Sequence, residues 1–194
     1  MNVAKNSTGI IKLVAFVVAI ILCFIGIFSV FKFVAEKKAI NAETKVQNAL
    51  EDIKVSERTR VDSLQTLADS VKSYSKIELQ VTSLIADARK NIEDANFEEA
   101  NLNISAVVNV IQENYPELKS SDLYKDYMNE VTICNRNIET HRNTYNKCIR
   151  DYENTLRDPV WRFFISKTGY EKVEFERLSA SLGDNQDMPQ INWD

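Results

Sequence analysis

The fold is decided at positions 13–31, where nineteen consecutive uncharged residues read LVAFVVAIILCFIGIFSVF. A helix rises about 1.5 Å per residue, so this run spans roughly 28 Å, close to the hydrocarbon thickness of a bilayer. We predict that residues 10–34 form a transmembrane helix that contacts the lipid bilayer. The side chains assigned to this anchor are Leu13, Phe16, Ile20, Phe24, Phe28 and Phe31.

A cleaved signal peptide is the alternative to an anchor. Its apolar segment has about 7–15 residues and precedes a small-x-small cleavage site, whereas this run is longer and ends in the bulky, basic segment 31–34. Cys23 could accept a lipid, but Leu22 stands where a small residue is expected and the apolar run continues beyond Cys23. We predict an uncleaved single-pass anchor after a short tail at residues 1–9.

The charges that follow the anchor are mostly negative. Three of the 24 Lys and Arg residues and none of the 28 Asp and Glu residues precede residue 35, which leaves 21 bases against 28 acids and a net charge of −7. Such a domain repels phosphate backbones, so no nucleic acid partner is expected. The larger number of Lys residues on the C-terminal flank favours a cytoplasmic domain at the inner (cytoplasmic) membrane.

The remainder of the chain predicts an all-α fold. Residues 36–157 contain one Pro and no Gly, which suits long helices because both residues weaken helix interiors. Apolar residues recur every three or four positions from Val46 to Ile92, with Glu57 and Glu78 interrupting the pattern. We predict an antiparallel helical bundle at residues 35–182 and a polar extension at 183–194.

The helix boundaries follow from turn and cap signals. Asn96 and Glu99 match a capping box that opens a second helix, and Asp158-Pro159 ends a third. The first helix could break either near Ser75 or near Asn96. The apolar period continues through Ser75, so we favour one helix that extends from the membrane to residue 92.

Catalytic and cofactor sites are not expected. The four Gly residues stand far apart, which excludes the Gly-rich loops that bind phosphate, and one His excludes motifs built on a His pair. That residue, His141, lies on the apolar face of the third helix and is expected in the core. We therefore predict no catalytic residues, no metal, no cofactor and no small-molecule substrate.

Two segments have an unusual composition. Arg142, Tyr145 and Asn146 belong to a polar stretch that predicts either hydrogen bonds between helices or a solvated face. After Pro159, aromatic residues alternate with Arg and Lys, a mixture that marks either a membrane-interface segment or a cap on the bundle core.

Several motifs together resemble the bacterial LemA family over residues 10–194. They are Tyr115-Pro116-Glu117-Leu118-Lys119, then Arg142-x-x-Tyr145-Asn146 with Tyr152, then Gly169-Tyr170 followed by Phe175-Glu176. The resemblance implies a single-pass membrane protein with a bundle that is four-helix in character. It implies no established enzymatic activity.

The expected function is that of a membrane-anchored helical scaffold that binds protein partners and is not an enzyme. A homo-oligomer could form if an apolar stripe around Ile40 and Val46 paired with its copy in a coiled coil. The alternatives are a membrane-shaping or lipid-sensing protein, and an accessory factor in membrane protein quality control.

Overall fold

The computed structural model describes residues 3–70, 75–117 and 121–179, and these contain five α-helices and no strand. The predicted all-α class is therefore confirmed. The predicted extension at 183–194 lies outside the described residues. The helices are α1 (Val3–Ser70), α2 (Ser75–Glu93), α3 (Phe97–Asn114), α4 (Asp122–Arg157) and α5 (Pro159–Ile165).

The prediction of one helix from the membrane to residue 92 is wrong, because α1 and α2 are separate, antiparallel helices. Arg89 Nη2 donates to Asp62 Oδ1 at 2.9 Å, whereas one straight helix would place these residues about 40 Å apart. Arg58 donates to Glu93 in the same way. The alternative break near Ser75 is the correct one. The apolar period continues across the break because both helices bury their apolar residues in the same core.

A second turn joins α2 to α3 at the predicted place, but its hydrogen bonds are not those of the predicted capping box. Asn96 N donates to Asn91 O at 2.8 Å and Ala95 N donates to Ile92 O at 3.1 Å, the two bonds of a Schellman motif. The side chain of Asn96 makes no capping hydrogen bond, so the predicted capping box is absent. Ala95 has φ +58°, the left-handed conformation that glycine adopts most easily.

We expect Ala95→Gly to stabilise the protein by about 0.5–1 kcal/mol, because glycine removes the steric cost of left-handed backbone and this gain exceeds its extra unfolded-state entropy. Ala95→Val should destabilise it. Chemical denaturation of the full chain in detergent measures both. Equal stability of Ala95→Gly and Ala95→Val would contradict this account of the turn.

The chain forms two compact units. Among the described residues, the bundle unit comprises those within 46–148 and 176–179, and the anchor unit comprises residues 3–45 and 149–175. In the bundle unit, α4 runs antiparallel to α1, since Glu57 contacts Arg142 and Arg60 contacts Asn135. It also runs antiparallel to α3, since Gln112 contacts Tyr124 and Phe97 contacts Arg142. The unit is thus an up-down-up-down four-helix bundle.

The core of the bundle unit is formed by the predicted apolar faces. Its largest fully buried apolar side chains include Ile53, Leu64, Leu67, Ile85, Ile92, Ile111 and Ile138. Two sequence-based placements need correction. Val46 is fully buried, so it cannot join Ile40 in an exposed pairing stripe. Leu123, which helical spacing places with Tyr127 and Val131 on the apolar face of α4, is exposed.

The anchor unit has a smaller core of its own. Ala35, Ala39 and Ile165 are buried there, with Trp161, Phe164 and other part-buried apolar side chains packed against them. Asp158 both follows the last residue of α4 and caps α5, because its Oδ1 accepts from Val160 N and Trp161 N at 3.0 and 3.2 Å. The aromatic residues after Pro159 thus pack on α1 around Ala35 and Ala39, in the anchor unit.

The apolar run of α1 is exposed along its whole length. All residues from 12 to 31 are exposed, and the six side chains assigned to the anchor are 40–68% exposed. Among the helices in the described ranges, α1 is the one that is long and apolar enough to cross a membrane.

Candidate functional site: a buried charged cluster in the bundle unit

Three charged side chains lie in the core of the four-helix bundle. Glu57 is 0% exposed, and Arg60 and Arg142 are also buried. Glu57 follows Ile53 by four positions and precedes Val61 by four, so helix geometry directs its side chain inward. Glu57 therefore interrupts the apolar period without leaving the core, where its carboxyl group is buried.

The cluster joins three of the four helices. Arg60 Nη2 donates to Glu57 Oε2 at 2.5 Å, and Arg142 Nη2 donates to Glu57 Oε1 at 3.4 Å. Arg60 also donates to Asn135 Oδ1 of α4 at 3.2 Å and to Asn101 Oδ1 of α3. One carboxylate on α1 is thus shared by two guanidinium groups, and one of those groups reaches both α3 and α4.

Burial dominates the electrostatics of this cluster. Removal from water raises the pKa of Glu57 above its ordinary value, although Arg60 and Arg142 act in the opposite direction. Burial likewise lowers the pKa of Arg142, which the Glu57 carboxylate opposes. Within the described part of the chain, the Nε atoms of Arg60 and Arg142 are buried without a hydrogen-bond partner. Such a cluster is costly to bury and therefore selects a particular helix alignment more than it adds stability.

The polar residues predicted on α4 divide into two roles. Arg142 lies between helices, as its bond to Glu57 shows, and its guanidinium carbon is 5.8 Å from the Phe97 ring centroid. For Tyr145 and Asn146 the prediction of bonds between helices needs correction. Their hydrogen bonds go to the main chain of an extended segment at residues 176–179, which we call the strap.

Side chains of α4 hold the strap by hydrogen bonds to its main chain. Asn146 Nδ2 donates to Leu178 O at 2.6 Å, and Leu178 N donates to Asn146 Oδ1 at 3.1 Å. Tyr145 Oη donates to Glu176 O at 3.1 Å, and Arg142 Nη1 donates to Ser179 O at 3.5 Å. The amide of Asn146 satisfies both main-chain groups of Leu178. Sequence periodicity could not locate these contacts because the strap is not helical.

Glu57 and Arg60 were not predicted as site residues, His141 was predicted in the core, and Arg142 was left between an inter-helix position and a solvated face. The buried positions of α4 include Ile138, Arg142 and Tyr145, while His141 is only half-buried. Both registers fit steps of three and four, so periodicity alone could not decide between His141 and Arg142 for the buried position. The signal in the sequence for a charged cluster was Glu57, because an acid at an apolar position of a helix needs a buried cation as its partner.

The groups that could perform chemistry are unfavourably placed for it. Burial raises the pKa of the Cys134 thiol, with the nearby Glu130 carboxylate acting in the same direction, so this thiol is a weak nucleophile at neutral pH. A groove of about 180 Å³ is lined by Thr66, Leu67, Asp126, Tyr127, Glu130 and two further residues. No group of three His, Cys, Asp or Glu side chains in the described ranges could hold a metal ion.

We expect Glu57→Leu to destabilise the protein by about 3–5 kcal/mol, because it leaves two buried guanidinium groups without their shared carboxylate. Glu57→Gln should cost much less, since the amide oxygen can still accept from Arg60. Glu51→Leu is the matched control on the exposed face of α1 and should change stability by about 0.5 kcal/mol or less. Denaturant titration measures all three, and equal losses for the Leu variants at 51 and 57 would contradict a buried cluster.

The raised pKa of Glu57 also predicts a pH dependence. The folded chain binds this proton more readily than the unfolded chain, so the contribution of Glu57 is fully present below its ordinary pKa and is lost as pH rises through the folded pKa. The free energy of unfolding of the wild type should therefore rise relative to that of Glu57→Gln as pH is lowered. Paired denaturation series at several pH values check this, and a difference that falls on acidification would contradict it.

These features define a helical-bundle protein with one candidate membrane-spanning helix near its N-terminus. The chain belongs to the LemA family, which matches residues 49–193. Protein LemA of Metamycoplasma hominis is 25% identical over 158 residues, which cover 77% of this chain and 71% of that protein. No solved structure matches the chain.

Proposed function

We propose that the protein is a membrane-anchored scaffold of the LemA type that binds protein partners through its helical bundle and acts without catalysis. The observation that carries this proposal is α1 itself. One uninterrupted helix, Val3–Ser70, contains both the exposed apolar run and the Glu57–Arg60 part of the charged core. The anchor and the bundle therefore share one secondary-structure element.

The charge of the bundle indicates the kind of partner. Residues 46–148 contain 17 acids and 12 bases, a net charge of −5, and α2 and α3 each present an exposed leucine, Leu79 and Leu102. A partner with a basic surface and apolar contacts complements such a face. We place the protein in the cytoplasmic membrane with the bundle in the cytoplasm, as the Lys residues on the C-terminal flank favour.

Photocrosslinking in intact cells tests the scaffold function. A photoreactive amino acid at Leu79 or Leu102, which are 75% and 57% exposed, should capture discrete proteins. The same amino acid at Phe24, within the apolar run, is the control and should capture chiefly lipid. Recovery of only lipid and self-adducts from positions 79 and 102 would contradict the proposal.

A further inference from the structure

The short helix α5 contacts the last turn of the apolar run. The ring centroids of Phe163 and Phe28 are 6.4 Å apart in an edge-to-face arrangement. Phe164 lies 5.5 Å from Phe28 and stacks on Phe31 at 5.3 Å. Because the uncharged run ends at Phe31, these contacts place α5 beside residues that belong to the span itself.

The contacts fix the depth of α5 relative to the span. Phe28 is three residues from the end of a run that matches the hydrocarbon thickness, so it lies about 4.5 Å inside that end. Helices that lie in a membrane interface bury their apolar face about 5–10 Å into the boundary between headgroups and acyl chains. The rings of α5 that contact Phe28 are therefore close to the shallow end of that range when α1 spans a bilayer.

The helix has two apolar faces, and one of them is exposed. Phe164 and Ile165 pack inward on the anchor-unit core, whereas Val160 and Phe163 are 56% and 54% exposed. Phe33 of α1, just beyond the run, is also exposed. Val160, Phe163 and Phe33 form an apolar patch that continues the exposed apolar surface of α1. Acyl chains that cover the apolar run therefore also contact this patch.

The surroundings of α5 are basic. Residues 28–45 and 157–170 contain seven Lys and Arg residues against three Asp and Glu. Lys38 Nζ lies 4.3 Å from the Trp161 ring centroid, and the exposed Arg162 and Lys167 flank the apolar patch. Aromatic side chains with Lys and Arg are typical of membrane interfaces, and such bases are attracted to an anionic membrane surface.

We infer that α5 is a membrane-interface helix, in which Val160 and Phe163 contact acyl chains while Arg162 and Lys167 contact anionic phospholipid headgroups. The bilayer is the one that α1 crosses. The inference rests on the anchor of the proposed function and adds a second, non-spanning membrane contact. It makes α5 a lipid-binding element, independent of any protein that the bundle binds.

Depth-dependent quenching of a single tryptophan tests this placement in the full chain. Trp161→Phe and Trp193→Phe remove the native tryptophans, and Phe163→Trp introduces the probe. In liposomes of phosphatidylcholine and phosphatidylglycerol, we expect about a twofold loss of emission when the acyl chains are brominated near the headgroup, and a smaller loss when they are brominated near the bilayer centre. Leu102→Trp on α3 is the matched exposed control and should not be quenched.

Flotation of the chain with liposomes separates failure of the anchor from failure of the inference. If the chain floats with liposomes but the probe at 163 is unquenched, the inference is wrong and the anchor stands. If the chain does not float, both the anchor and the inference fail. Should Phe163→Trp reduce helix content by circular dichroism, Val160→Trp gives the same test at the neighbouring exposed position.

The headgroup contact has its own test. Arg162→Gln with Lys167→Gln should abolish the additional quenching at 163 that phosphatidylglycerol produces over pure phosphatidylcholine. Arg136→Gln with Lys147→Gln, both exposed on α4 in the bundle unit, is the charge-matched control and should leave it unchanged. Additional quenching that persists without both bases would overturn the headgroup assignment.

Discussion

The structure depends on an exposed apolar helix surface that water solvates poorly. Every residue from 12 to 31 of α1 is exposed, and hydration of apolar surface is unfavourable by about 25 cal/mol per Å². A helix satisfies its own backbone hydrogen bonds, so hydrocarbon is an environment it can enter. Burial within the chain begins just beyond this surface, at Ala35 and Ala39, whose small side chains let α5 approach α1 closely.

The bundle unit depends on a different constraint, which is the burial of three charges in its core. Glu57 on α1 accepts from Arg142 on α4, and Arg60 donates to Asn101 on α3, so these hydrogen bonds form together in one alignment of the helices. A slipped helix would separate buried charges from their partners. Arg142 also contacts the strap, which couples the alignment of the core to the attachment of residues 176–179.

The all-α class, the apolar run and most of the core faces could be predicted from helical periodicity and from the scarcity of Gly and Pro. The break after Ser70 could not, because the apolar period has the same phase on both sides of it. The charged cluster was missed for a related reason: Glu57 and Arg142 occupy core positions of two distant helices, and their pairing is a tertiary contact. The strap binds through main-chain groups, which leave little trace in side-chain patterns.

We propose that the exposed run lies in a bilayer, and Cys23, near its middle, provides a native probe. In open membrane sheets, a chain with Cys134→Ala and Cys148→Ala should not react with a water-soluble maleimide, since alkylation needs a hydrated thiolate. A cysteine at the exposed Asn41 in place of Cys23 should react readily. Labelling of Cys23 at the rate of Asn41→Cys would contradict the account, because the run would then be in water.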